Sequence, residues 1–192
     1  MGRPSLPRFS SDRAWRATAR PCTWPTPRTT RFGRSTSSPA GSRQWQGLAL
    51  IGGHLYVADA DVSAVRDIDL GARVVSTLVG EDLFVFGDQD GEGNTVRLQH
   101  PLGITARNGV LYLADSYNNN KIKRLDPRQR AVTTWPGSGA AGRSDGPPAS
   151  AAFREPGGVC AGVGGLYIAD TNNHRIALAD WRSGEVRTVI GD

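Results

Sequence analysis

The feature that most constrains this 192-residue chain is a repeat. Leu55-Tyr56-Val57-Ala58-Asp59 returns as Leu111-Tyr112-Leu113-Ala114-Asp115 and again as Leu166-Tyr167-Ile168-Ala169-Asp170, so the aspartates stand 56 and 55 residues apart. The flanks keep that step. Pro101-Leu102-Gly103-Ile104 recurs as Pro156-Gly157-Gly158-Val159 and Asp90-Gly91 recurs as Asp145-Gly146. An apolar anchor, Leu98 or Phe153, precedes each proline by three residues. Self-similarity at a fixed period means stacked copies of one supersecondary unit, each burying its neighbour's apolar face.

Within a unit the pattern is short and strand-like. Gly103–Ala106 reads as a first strand, turned by Asn108-Gly109, a pair suited to the positive φ angles of a two-residue hairpin. Gly52-Gly53 and Gly164-Gly165 offer the same chemistry in the other units. The Leu-Tyr-x-Ala segment is a second strand, alternating large and small residues. A polar turn, Asp170–His174, leads to a third strand at Arg175–Ala179 and a fourth at Val186–Ile190, matched by Val132–Trp135 and Val74–Val79. Four antiparallel strands in so short a unit describe a propeller blade, whereas a β-helix needs a shorter period and a helical solenoid needs 3.6-residue patterning. The expected fold is all-β: an incomplete β-propeller of about three four-stranded blades, at 45–100, 101–155 and 156–192. A blade cannot bury both faces alone, so three open-ended units are expected to be aggregated or partly ordered as written.

The formal charge of +5 divides unevenly. Residues 1–44 hold nine Arg against one acid, Asp12, a balance of +8; residues 45–192 hold 14 basic and 17 acidic side chains, a balance of −3. The repeats therefore lack the general phosphate attraction on which nucleic-acid binders rely. Lys121, Lys123 and Arg124 make one local basic cluster, with Arg66 and Arg175 isolated in the other units. Cys22 and Cys160 form no metal or redox spacing, and Cys160 is expected to be a buried strand thiol. No apolar run is long enough for a membrane helix, and no secretory signal is visible.

Pro-x-Gly followed by Ile or Val, then Leu-Tyr-x-Ala-Asp with Ser or Thr and Asn, then Lys-Ile-Lys or Arg-Ile, resembles the NHL repeat. Phe84–Gly93 running into Leu98–Gly103, and Phe153–Cys160 with Ala169–His174, are similar to a narrower NHL group. Its members join a thioredoxin-like domain to a six-bladed propeller and a C-terminal β-rich extension. The resemblance spans about residues 46–192 and implies that this chain holds about half the propeller; the expected role is a cytoplasmic, non-catalytic scaffold whose loops bind another protein. One departure is an extra residue in Asn118-Asn119-Asn120: Asp115 to Asp126 spans 11 residues, against 10 for Asp59 to Asp69 and Asp170 to Asp180.

Residues 1–44 are rich in Arg, Ser, Thr and Pro without periodicity, and read as a disordered leader or a targeting peptide. A frame-shift explains more. Read from the third base of each codon, Pro21–Ser37 permits Leu-Tyr-Val-Ala-Asp-Thr-Glu-Asn-His-Ala-Ile-Arg-Lys-Ile-Asp-Leu, another copy of the repeat. The nucleotide sequence decides this hypothesis.

Asp59, Asp115 and Asp170, with Asn118 or Asn119, Asn172 and Asn173, could be pictured as metal ligands. Their residue types fit tight strand-to-strand turns better, because Asx side chains bond nearby backbone N–H groups. Asp90 and Asp145 read likewise as turn formers in the inter-blade loops Gly87–Leu98 and Gly139–Phe153. These loops, with Asp88, Asp90, Arg97, Arg143 and Asp145, are the candidate contact surface for a partner. His54 lies at a hairpin turn, His100 before a proline and His174 in a polar turn, and the inner strands carry no ligand or nucleophile of the kind an amidating-lyase-like metal enzyme needs. No catalytic, cofactor or metal residue is assigned, and neither nucleic acid nor membrane is expected as a partner; an RNA-binding propeller is the other alternative.

Overall fold

The computed structural model describes residues 45–191; the leader and its frame-shift hypothesis lie outside the described residues. The described residues form three antiparallel sheets, with short turns inside each sheet and longer linkers between sheets. The first joins β1 (Trp45–Ile51), β2 (His54–Asp59), β3 (Ala64–Asp69) and β4 (Val74–Val79) in sequence order. The second joins β6 (Pro101–Arg107), β7 (Val110–Asp115), β8 (Lys121–Asp126) and β9 (Ala131–Thr134), with a two-residue strand, β5 (Gly91–Glu92), added outside β9. The third joins β10 (Pro156–Ala161), β11 (Gly165–Asp170), β12 (Arg175–Asp180) and β13 (Val186–Ile190).

The alternation of Leu-Tyr-x-Ala decides which face each side chain serves. Leu111 and Leu113 are fully buried in the core shared by the first two blades, where Tyr56, Ala58 and Leu78 meet them. Tyr112 points the other way and packs into the next core, with Leu166, Ile168, Ala177 and Phe153. The tyrosine therefore faces the following blade and the large aliphatics face the preceding one. Innermost strands β1, β6 and β10 pack side by side. The approach is close: a Cβ on Gly103 would lie 2.8 Å from Gly158 Cα and from Val159 N. A glycine is therefore required at that motif position.

Two hairpins follow expectation. Gly52 and Gly53 (φ 57° and 88°) and Asn108 and Gly109 (φ 51° and 78°) occupy the positive-φ positions of two-residue turns. The third differs. Ala161 pairs with Leu166, leaving a four-residue loop closed by Gly162 N–H donating to Gly165 O at 2.9 Å, and neither Gly164 nor Gly165 has positive φ.

Cys160 also departs from expectation: it lies in β10 but is exposed. It pairs with Tyr167, on the face of the third blade that looks away from the second, and Tyr167 is itself 40% exposed. Burial at this repeat position depends on a following blade. The opposite end of the array shows the same thing, with Leu48 and Leu50 open on β1.

Candidate functional site

The repeated aspartates are buried, and they do not form the turns that follow them. Asp115 Oδ1 accepts from Gln99 N–H at 2.7 Å, and Asp170 Oδ1 accepts from Arg154 N–H at 2.8 Å, each donor sixteen residues upstream. Their other oxygens accept from Asn119 Nδ2 (2.7 Å) and Asn173 Nδ2 (2.8 Å). Those amides also donate to Gly87 O and Gly142 O. Each Asp–Asn pair thus ties the incoming linker to the end of the blade's second strand. The Asx-turn role falls instead to Asp69, Asp126 and Asp180, whose Oδ1 atoms accept from Gly71 and Ala72, Arg128 and Gln129, and Arg182 and Ser183 N–H groups. Asn118, at φ 59°, is exposed and absorbs the extra residue of the second blade, and Asn172 donates to Glu155 at 2.8 Å. Asp59 accepts from Arg66 Nε at 2.8 Å; its Oδ1 is buried without a partner among the described residues, and position 43, sixteen residues upstream, lies outside them.

Asp90 and Asp145 are staples rather than turn formers. Asp90 accepts from Thr134 N–H (2.7 Å) and Lys123 Nζ (2.8 Å); Asp145 accepts from Thr188 N–H (2.7 Å) and Arg175 Nη1 (2.7 Å). Both pin the linker to the blade's fourth strand through a cation on its third. The cations do not sit at equivalent repeat positions: Lys123 aligns with Ala177, and Arg175 aligns with Lys121. Arg175 reaches further, bonding Asp170 Oδ2 (2.6 Å), Thr188 Oγ1 (2.9 Å) and Ala152 O (2.9 Å) as well. In the first blade Arg66 bonds Asp59 and Thr77, and no acid of the linker is among the described residues.

Two of the three residues of the basic cluster are thereby spent, and Arg124 remains exposed. Lys123 is fully buried against Asp88 and Asp90, and Lys121 also bonds Asp88. Burial works against both charges, but the mutual bonds outweigh it, holding Asp88 below and Lys123 above their ordinary ranges. At Asp145 burial is likewise outweighed, by Thr188 and Arg175, and its carboxyl is held low. Asp115 behaves differently: burial drives it up to about 7 despite the bonds from Asn119 and Gln99.

Of the other candidate contact residues, Arg97 bridges Glu81 (3.3 Å) and the carbonyl of Val96 (2.9 Å) within its own loop. Arg143 is exposed on the second loop and takes no part in these bonds. His54 bonds Asp67 at 2.9 Å, and His100 and His174 occupy left-handed turn positions at φ 52° and 51°. Among the described residues no three His, Cys, Asp or Glu side chains converge as metal ligands.

One surface went unread in the sequence. Leu83, Phe84 and Phe86 stand open beside Tyr117, around a concavity of about 510 Å³ that Asp61, Ser63, Gln99 and His100 complete. Its elements are the β2–β3 turn, the β7–β8 turn and the linker between the first two blades. The signal was a break in the repeat: one period later, Leu83-Phe84-Val85-Phe86 becomes Ser138-Gly139-Ala140-Ala141.

The family model described as NHL repeat matches residues 153–177, from the buried anchor Phe153 through β10 and β11 into β12. The third blade matches the NHL repeat. NHL repeat-containing protein 2 of Bos taurus is 45% identical over 164 residues, which are 78% of this chain and 22% of that protein. Its Homo sapiens counterpart is 43% identical over 155 residues, 73% of this chain and 21% of its own. The chain thus spans about a fifth of the length of these curated relatives. A solved protein of unknown function from Bacteroides thetaiotaomicron matches 70% of this chain and 32% of its own. The TM-score is 0.56 at 25% sequence identity, and the likeness is one of propeller fold.

Proposed function

We propose that these NHL blades belong to a non-catalytic scaffold whose loop face binds another protein. One observation carries this reading. Asp88, Asp90, Lys121, Lys123, Asp145 and Arg175 are consumed in joining linker to blade, while bulky apolar side chains on the linker between the first two blades are left open. Loops held by a rigid scaffold suit recognition, and Arg143 projects from the second of them. The similarity to NHL repeat-containing protein 2 supports a repeat-built interaction surface without supplying a reaction.

The test is site-directed photocrosslinking from positions 117 and 143 of the full chain in cells. A discrete protein adduct from either position is expected. Adducts to RNA, or a stoichiometric metal that supports turnover in the purified chain, would overturn the reading.

A further inference from the structure

We propose that the concavity between the first two blades docks an extended peptide segment of a protein partner, one presenting an aromatic or branched aliphatic side chain beside Lys or Arg. This deepens the scaffold reading and rests on it, naming the surface and the chemistry of what binds there.

The repeat supplies an internal control. Gly87 N–H donates to Leu98 O at 3.0 Å, and Gly142 N–H donates to Phe153 O at 3.0 Å, so the two seams coincide at these glycines, although just before them Val85 N–H donates to Asp82 O (2.9 Å) where Ser138 N–H donates to Ala151 O (2.8 Å). At the second seam the corresponding residues are Ser138-Gly139-Ala140-Ala141. Building a blade therefore does not require Leu83, Phe84 or Phe86. Nor do these residues gain from the fold: Phe84 is 85% exposed, Phe86 54% and Tyr117 52%. A contiguous exposed apolar patch marks an interaction site.

The shape and charge select the occupant. About 510 Å³ is a pocket of ligand size, with room for an anchoring side chain between Phe84, Phe86 and Tyr117. Its floor is fixed, because His100 N–H donates to Ser63 Oγ at 3.3 Å and the His100 and Tyr117 rings lie 6.0 Å apart. Asp61 lines it, and Glu81 and Asp82 stand on the same linker immediately before Leu83. On that linker Arg97 contacts Glu81 at 3.3 Å, which leaves Asp82 as an acidic excess. The margin carries a negative excess, which favours a segment with basic flanks and disfavours an acidic one.

The full chain is biotinylated and used to select a random seven-residue phage peptide library. Counter-selection uses a graft in which Leu83-Phe84-Val85-Phe86 is replaced by Ser-Gly-Ala-Ala, the sequence of the second seam. Circular dichroism checks that the graft keeps its fold; if it does not, Phe84→Ser serves in its place. Peptides pairing an aromatic or branched aliphatic residue with Lys or Arg are expected to be enriched on the parent. The best of them, synthesised with a fluorophore, is expected to bind the parent roughly tenfold more tightly than the graft, an effect that weakens with added salt. Equal enrichment on both chains, no enrichment, or an acidic consensus would overturn the proposal. So would a dimer of the parent that the graft abolishes, since the occupant would then be a second copy. In each of these cases a protein adduct from position 143 would leave the scaffold reading standing.

Discussion

Arg175 is where removing one side chain should cost most. Its side chain is 1% exposed and reaches Asp170, Asp145, Thr188 and the Ala152 carbonyl. In Arg175→Met, Asp170 stays buried and keeps the donors Arg154 N–H and Asn173 Nδ2. The loss there belongs at the lower end of the ~3–5 kcal/mol typical of a broken buried pair. Ala152 O loses one donor and keeps Ser144 N–H at 3.3 Å, which adds at most about 1 kcal/mol. Asp145 is 44% exposed, keeps Thr188 N–H and rehydrates, adding little. The total is about 4 kcal/mol, roughly a thousandfold in the folded-to-unfolded ratio. Urea unfolding of the soluble monomer of the full chain, followed by tryptophan fluorescence and circular dichroism, measures it, and a cooperative transition there would also overturn the expectation that open-ended blades aggregate. Arg143→Ala, on the exposed loop, is the neutral control. Adding Asp170→Asn to Arg175→Met removes the stranded charge and should recover part of the loss. A change within about 0.5 kcal/mol for Arg175→Met, or a double variant that adds the two losses in full, would refute this account.

A raised carboxyl pKa favours the folded state while the group is protonated, so the stability due to Asp115 is fully present below its ordinary 3.8 and is lost as pH rises through about 7. His54, raised by Asp67, acts in the same direction, whereas Asp69, Asp88, Asp145 and Asp180, all lowered, act below 3.8. Melting temperature should therefore fall between about pH 5.5 and pH 8, persistently in His54→Gln and much less in Asp115→Asn; a flat parent profile would contradict this. Gly103→Ala forces a methyl against the backbone of β10 and should cost about 2 kcal/mol by urea unfolding, and a neutral result would show that the inner strands can part. In a Cys22→Ser background, Cys160 should react with a disulfide reagent without denaturant, and a requirement for urea would show that its exposed face is covered.

The strand order was legible because one motif at one period carries both the hydrophobic alternation and the turn residues. The outer ends of the fourth strands, the first two hairpins and the sites of the buried aspartates all follow from it. What the aspartates bind was not legible, since Gln99 and Arg154 donate through backbone N–H groups and any residue but proline could stand there. The staples were hidden for another reason: Lys123 and Arg175 do one job from two repeat positions, so aligning the repeats separates them. Cys160 was misread because its exposure depends on what lies beyond the third blade, and the Gly164-Gly165 turn because composition does not reveal loop length.

The strand β5 has a practical implication for dissecting such proteins. Gly91 and Glu92 pair with Val132 and Ala131 in the second sheet, although they lie within the first stretch of sequence, 45–100. Gly93 N–H donates to Arg130 O at 2.9 Å, and Arg130 Nε donates across to Leu78 O at 2.8 Å. A gene fragment begun at the motif proline, Pro101, would discard the outer edge of its own first blade together with Asp88 and Asp90, stranding the buried Lys123. Such a truncation would leave β9 with unpaired backbone donors and acceptors, a template for adding strands from other molecules. The excisable module therefore begins near Gly80, about twenty residues ahead of the sequence repeat that advertises it.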